Sequence, residues 1–323
     1  MRLLFFGSPG LAVPFLQECV RASGHELVGV VTQPDRPAGR GLALTPPPVK
    51  AAVSGLRIPV LQPLKASAIV DEVKAFGADM AVVVAYGQLL KSDLLAATRL
   101  GFLNVHFSLL PKYRGAAPVQ WSLVRGERRS GVTLFWIDQG LDTGPIQRQA
   151  SLDIGPAEDA VGLFRRMVDL GVRELREGLR EIGSGDVRRQ PQQGEPSLAP
   201  KIPASLAVLD FALSASEFHD RVRGLAAGPR AHLFLSLPGA RRPLRVLILK
   251  ASVDPESGGS SGTPGSIVRV EGPRGVLVQC ASGRLWVQEV QPEGKRPISA
   301  TDFINGARLK TGGLLETVHE RTC

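Results

Sequence analysis

The sequence predicts an α/β protein: a Rossmann-like, mostly parallel sheet with helices on both faces, followed by a small OB-like β-barrel. Three observations carry that expectation. Up to about Ser184, short apolar runs alternate with segments of helical length, the pattern of strands joined by crossover helices. One run, Met80-Ala81-Val82-Val83-Val84-Ala85, has no polar residue, as a strand covered on both faces requires. Past Pro203 the pattern changes to short strands separated by Gly, Pro or Ser, without intervening helices. The expected organisation is a first domain over residues 1–184, a linker over 185–205 and a second domain over 206–323.

Taken in order, Arg2 to Phe6 is an apolar strand, closed by the turn Gly7-Ser8-Pro9-Gly10 and followed by a helix over 12–22. The turn lacks Gly-x-Gly-x-x-Gly, which disfavours a dinucleotide site. Strands follow at 27–31, 58–61 and 80–85, with helices at 49–54, 66–76 and 92–98. Between the second strand and its helix lies Gln33 to Pro48, sixteen residues where such loops usually run to ~2–6. Its prolines and glycines argue against independent folding, so by length alone a tolerated surface insertion is favoured. The central strand starts at Phe102, and a helix at 117–124 and strands at 131–137 and 146–152 succeed it. Helical periodicity over 158–182 closes the first domain. Residues 183–203, rich in Gly, Pro, Gln and Ser, read as an extended linker. A helix at 217–225, strands at 231–237, 244–250, 265–270, 276–280 and 285–290, and a terminal helix at 300–309 complete the second domain.

The composition narrows the function classes. A hydrophobic content of 43% is enough for sizeable cores and excludes a disordered chain. The net charge of +9 points towards polyanions. Through Ser184 there are 21 Lys and Arg against 17 Asp and Glu, net +4; from Gly185 on, 18 against 13, net +5 in fewer residues. Arg221, Arg223, Arg241, Arg242, Arg245, Lys250, Lys295 and Arg296 are therefore candidates for phosphate contact, although each alone is equally an ordinary surface charge. Three scattered cysteines form neither a disulfide framework nor a metal-ligand set. No apolar run is long enough for a membrane-spanning helix, and the sequence opens directly into a strand, so no targeting segment is expected.

The chemistry gathers in Gly101 to Pro118, GFLNVHFSLLPKYRGAAP. Asn104 and His106 sit two apart at the end of an apolar strand, so both side chains take the same side of the sheet. The carboxyl ends of strands are where ligands enter open α/β sheets. By itself this pair is equally compatible with buried polar groups satisfied by backbone. A second loop, Asp138-Gln139-Gly140-Leu141-Asp142-Thr143-Gly144-Pro145, supplies a carboxylate, Asp142, that such a fold can bring beside His106. An amide, an imidazole and an acid without a serine or cysteine nucleophile suit a site that moves protons and steadies an oxyanion.

NVHFSLLPKYRGAAPVQ and GLDTG resemble the signatures of the folate-dependent formyltransferases, and TQPDRPAGRG and VVVAYGQLL point to the members that act on methionyl initiator tRNA. The resemblance implies transfer of a formyl group from 10-formyltetrahydrofolate, the donor substrate, to the methionyl α-amine of that tRNA, with no metal. It implies Asn104, His106 and Asp142 as the catalytic residues. The folate is expected against Tyr86, Gly87, Gln88 and Leu89, and against Ser108, Leu109, Leu110 and Pro111. The long basic loop, with Arg36, Arg40 and the following Lys50, is expected to enter the acceptor stem, and Arg241 and Arg242 to hold the tRNA backbone. A cytoplasmic monomer is implied.

The sequence departs from the family at Phe107, where relatives have a small residue, and at Gly228-Pro229-Arg230, where relatives often have Pro-Trp-Pro. Two other readings remain open here: transfer to an amino-sugar nucleotide, which the basic loop and barrel argue against, and a non-catalytic RNA-binding protein, which the intact Asn104, His106 and Asp142 argue against.

Overall fold

The computed structural model describes residues 1–39, 42–237, 241–256 and 262–318. The chain divides into two compact units. The first comprises Met1–Ala116, Arg129–Leu152 and Arg165–Ala199; the second comprises Ala117–Arg128, Asp153–Phe164 and Pro200–Cys323.

The first unit is built on β1 (Arg2–Gly7), β2 (Glu26–Val31), β3 (Arg36–Ala38), β4 (Ala43–Thr45), β5 (Val60–Leu61), β6 (Met80–Val84), β7 (Phe102–His106), β8 (Arg129–Trp136) and β9 (Ile146–Asp153). Its main sheet has the order β5-β2-β1-β6-β7-β8-β9. Pairing is parallel from β5 through β7 and antiparallel between β7 and β8. The chain leaves β1 for one edge and returns on its other side at β6, so the carboxyl ends of β1 and β6 flank a topological switch point. β7, carrying Asn104 and His106, lies next to β6.

Helices α1 (Val13–Arg21), α2 (Pro48–Ala52), α3 (Val70–Ala75), α4 (Ser92–Leu95) and α6 (Ala160–Gly183) punctuate these strands, while α5 (Pro118–Val124), between β7 and β8 in the chain, belongs to the second unit. On one face Val73 of α3 and Leu94 of α4 share a buried cluster with Leu4, Phe6 and Phe102. The other face takes α6. A side chain at Gly171 would meet the Phe15 ring at 2.9 Å and Val105 at 3.5 Å, so only glycine lets the helix lie this close. All five residues of β6 are buried, as their apolar run requires.

The loop 33–48 differs from its expectation. It forms its own antiparallel pair, β3 with β4, in the register Arg36↔Thr45, Pro37↔Leu44 and Ala38↔Ala43. Of its prolines only Pro37 lies in the ladder, and a two-stranded pair, both strands being edges, tolerates it. From Asp186 to Ala199 the chain forms no helix and is pinned to the first unit: Gln190 exchanges both backbone hydrogen bonds with Ile146, and Arg114 bridges to Leu198.

The second unit adds α7 (Ala215–Gly224), β10 (His232–Ser236), β11 (Leu244–Val253), β12 (Ile267–Glu271), β13 (Gly275–Gln279), β14 (Arg284–Pro292), β15 (Ile298–Ser299), α8 (Ala300–Gly306) and β16 (Glu316–Thr317). Its antiparallel order is β12-β13-β14-β11-β10-β16, with β15 on β14. A bridge between Ser266, ahead of β12, and Leu314, ahead of β16, joins the two ends of that order, as a small barrel requires. Phe211 and Phe218 stack at 5.4 Å in its core. Ser214 and Glu217 form a reciprocal capping box that fixes the start of α7.

Candidate active site

His106 ends β7 and is buried, with its ring edge-on to Phe135. Its Nε2 lies 2.9 Å from the carbonyl oxygen of Tyr113. A carbonyl only accepts, so Nε2 carries the proton in the neutral ring and Nδ1 is the basic nitrogen. Nδ1 faces Asp142 Oδ2 at 3.6 Å. Burial pushes the imidazole below its ordinary value of 6.5; the Asp142 carboxylate and the Tyr113 carbonyl oppose that shift without cancelling it. At neutral pH the ring is therefore uncharged and able to take a proton, with an acid beside it to steady the charge. Burial also has a mechanical consequence, since a ring packed this way keeps one orientation.

Asp142 is placed by its loop. Its backbone is left-handed at φ 52, a conformation most side chains avoid. Oδ2 accepts the backbone N–H of Gly115 at 2.7 Å, so the turn after Tyr113 reaches both halves of the pair. Asp138 holds the start of the loop by accepting from Gly140 N at 3.0 Å and Thr143 Oγ1 at 2.6 Å. A side chain at Gly144 would collide with the Trp136 carbonyl, so the return of the chain onto the sheet needs glycine there.

Asn104, two residues before His106 on the same face of β7, is half-buried. Among the described residues its side-chain amide makes no hydrogen bond, which leaves two N–H groups to offer a ligand. The structure thus brings His106 and Asp142 together and sets Asn104 on their strand face.

The expected folate residues fall into two groups. Ser108, Leu110 and Pro111 are buried, and Leu109 is partly exposed. Thr133 Oγ1 donates to Ser108 O at 2.7 Å and accepts from Leu110 N at 3.2 Å, so this turn is locked to β8. In the other turn, Ala85 and Gly87 both have positive φ, which throws Leu89 out to 80% exposure. Leu141 in the Asp142 loop is also exposed, at 61%. Exposed leucines beside a strand-end site are the apolar material a ring-binding slot uses. Tyr86 points inward instead, edge-on to Phe6 at 5.3 Å; its hydroxyl is buried without a partner, and burial pushes the phenol up to about 12. Gln88 is spent on backbone, accepting from Ala66 N at 2.6 Å. Phe107 is buried with its ring edge-on to Phe15 of α1, so part of its bulk is absorbed by the core.

Among the expected tRNA contacts, Arg36 is exposed on β3. Arg40 lies outside the described residues. Lys50 binds Asp35 at 2.8 Å, and Gln62 donates to the same carboxylate at 2.6 Å. Lys50 therefore fastens the base of the loop, and its charge is already matched. Arg241 and Arg242 are exposed just before β11. Of the wider basic set, Arg223 is buried and paired with Asp220 at 2.7 Å, which removes it from a phosphate-binding surface. Sequence patterning gave no sign of Gln192, whose amide donates to the Asp142 and Gly144 carbonyls.

Among the described residues no group of three or more His, Cys, Asp or Glu is placed to hold a metal ion, and no helix is long and apolar enough to cross a membrane.

The profile of the formyl transferase family matches residues 1–179, and that of the formyl transferase C-terminal domain matches residues 201–308. The methionyl-tRNA formyltransferase of Elusimicrobium minutum is 40% identical, over 98% of this chain and 99% of that protein. The protein of the same name from Geobacter sulfurreducens is 39% identical, over 97% of this chain and 96% of its own length. Among solved structures, an N-formyltransferase from Helicobacter canadensis, in complex with folinic acid and dTDP-3-aminofucose, superposes with a TM-score of 0.64. It shares 19% identity and covers 88% of this chain and 98% of its own. HypX from Aquifex aeolicus, in complex with tetrahydrofolic acid, gives 0.60 at 15% identity, over 99% of this chain and 51% of that one.

Proposed function

The chain belongs to the formyl transferase family, and we infer that it transfers the formyl group of 10-formyltetrahydrofolate to the α-amino group of methionyl initiator tRNA. The observation that carries this is the pairing of buried His106 with the half-buried Asp142 at a strand end, in a chain ~40% identical over nearly all its length to proteins of that activity.

The amine attacks the formyl carbon, and its carbonyl oxygen becomes an oxyanion. Asn104 donates its free amide hydrogens to that oxygen, an interaction worth ~3 kcal/mol in such sites. The attacking nitrogen becomes cationic and gives up its proton to His106 Nδ1, and Asp142 stabilises the imidazolium that forms. The carbon–nitrogen bond to the folate then breaks. His106 returns the proton to the departing nitrogen, leaving the imidazole as it began. Amide and imidazole work from one strand, which holds them in fixed relation through both steps. Leu89, Leu109 and Leu141 line the slot for the folate ring, with backbone groups of the Tyr86–Gly87 turn completing it. Arg36, on β3, and Arg40 meet the acceptor stem, and Arg241 and Arg242 hold backbone phosphates. A role in starting protein synthesis places the chain in the cytoplasm.

The test is transfer from 10-formyltetrahydrofolate to methionyl initiator tRNA, with elongator methionyl-tRNA and an amino-sugar nucleotide as competing acceptors. Preference for the initiator is expected; transfer confined to the sugar nucleotide would replace this function with the alternative one.

A further inference from the structure

Asp142 must hold a left-handed backbone and keep its carboxylate near His106, and a surface loop does not do this unaided. Such a conformation is costly for a non-glycine residue and persists only where surrounding structure fixes it. That support comes from the extended segment that follows α6. Gln192 Nε2 donates to Asp142 O at 2.8 Å and to Gly144 O at 2.9 Å, gripping the loop on both sides of Thr143. The other end of the same amide is itself held: Arg114 donates to Gln192 Oε1 from Nε at 3.2 Å and from Nη2 at 2.7 Å.

Arg114 stands between the two residues that touch the proton-moving pair from outside, Tyr113 through its carbonyl and Gly115 through its N–H. The segment fixes this turn as well. Ser197 Oγ accepts from Tyr113 N at 2.9 Å, and the carbonyl of Ser197 accepts from Arg114 N at 2.8 Å. One strap therefore reaches the turn that orients His106 and the loop that carries Asp142, and the Arg114–Gln192 contact is where the two meet.

We propose that Gln192, locked by Arg114, is a positioning residue for formyl transfer, setting the spacing of Asp142 and His106 from a stretch that resembles a linker. The proposal rests on the formyl transfer inferred above. It predicts a specific defect: loss of the grip loosens Asp142, leaves substrate binding largely intact and slows the chemical step. It also predicts a change at His106. The charged group against that ring is Asp142, and its other close neighbours are the Tyr113 carbonyl and the Phe135 ring. A displaced Asp142 lets burial act with less opposition, so the imidazole titrates at lower pH.

The experiment uses the full chain with Gln192→Leu, which removes both hydrogen-bonding ends, and Gln192→Glu, which keeps an acceptor for Arg114 but cannot donate to the two carbonyls. For each, kcat, the KM for 10-formyltetrahydrofolate and the His106 imidazole titration by NMR are measured, the resonance being assigned by its loss in His106→Asn. Expected are a kcat lowered about 10- to 100-fold, a folate KM within about twofold of wild type, and a His106 titration moved to lower pH in both variants. A variant that is merely less heat-stable, with kcat per folded molecule and His106 titration unchanged, overturns the proposal. Should Gln192→Leu not fold, Gln192→Glu decides it. Should the wild type transfer no formyl group, the proposed function fails, while the His106 titration in the folded variants still tells whether Gln192 sets the pair.

Discussion

Replacing Asp142 by Asn changes one thing at the centre of the site. The amide keeps the size of the carboxylate and an oxygen for the Gly115 N–H, so the loop retains its hydrogen bond. The negative charge facing His106 is lost. At 3.6 Å, with an effective dielectric of about 20, an imidazolium–carboxylate attraction amounts to about 4–5 kcal/mol. Both side chains are largely shielded from solvent, at 6% and 17% exposure, so water replaces little of it. Burial already disfavours the charged ring, and without Asp142 the disfavour grows. The step in which Nδ1 takes the amine proton then slows. A positioned acid–base group is typically worth about 100- to 10,000-fold, and the expected loss in kcat is about 1,000-fold. Single-turnover formylation with saturating folate and methionyl initiator tRNA reads that step directly. An Asp142→Asn enzyme, folded and within tenfold of wild-type kcat, would refute the argument that this charge serves the proton transfer.

Other perturbations test neighbouring parts of the structure. The Tyr86 hydroxyl is buried without a partner, so Tyr86→Phe should raise the free energy of unfolding by about 1 kcal/mol, read by urea denaturation; a loss of stability would mean the hydroxyl is satisfied after all. His106 is held below 6.5 in the folded chain, so the unfolded chain takes the proton first as pH falls: its contribution is intact above about pH 6.5 and is lost progressively below it. Denaturation at about pH 7.5 and about pH 5.5 should show a smaller loss for His106→Gln than for wild type. His25, shifted in the same direction, is present in both proteins and cancels; equal losses would contradict the shift. Arg36→Ala should lower kcat/KM for the tRNA about tenfold and reduce its salt dependence, with the folate KM unchanged; a parallel loss for both substrates would place Arg36 elsewhere.

The parallel sheet was legible because the interiors of its strands are mostly apolar. Met80–Val84 admits no other environment, and Asn104 and His106 stand out as polar residues ending such a run. Asp142 was legible as an acid in a Gly-rich loop, but nothing local encodes its left-handed backbone. The β3–β4 pair was not, because a three-residue ladder needs little pattern and its prolines argued against it. Gln192 was hidden for another reason. In a stretch rich in Gly, Pro and Gln its neighbours look alike, and its role depends on the distant carbonyls of Asp142 and Gly144. Lys50 and Arg223 show the converse: a cation in the sequence carries no label for the acid that neutralises it, here Asp35 and Asp220.

The most direct measurement follows an isotopically labelled formyl group from 10-formyltetrahydrofolate in a rapid-quench reaction with methionyl initiator tRNA, comparing wild type with His106→Ala. The label should be recovered as N-formylmethionine after the ester is hydrolysed, at a rate that collapses in the variant. Label moving equally fast without the imidazole, or arriving on any atom other than the methionyl nitrogen, would contradict the account.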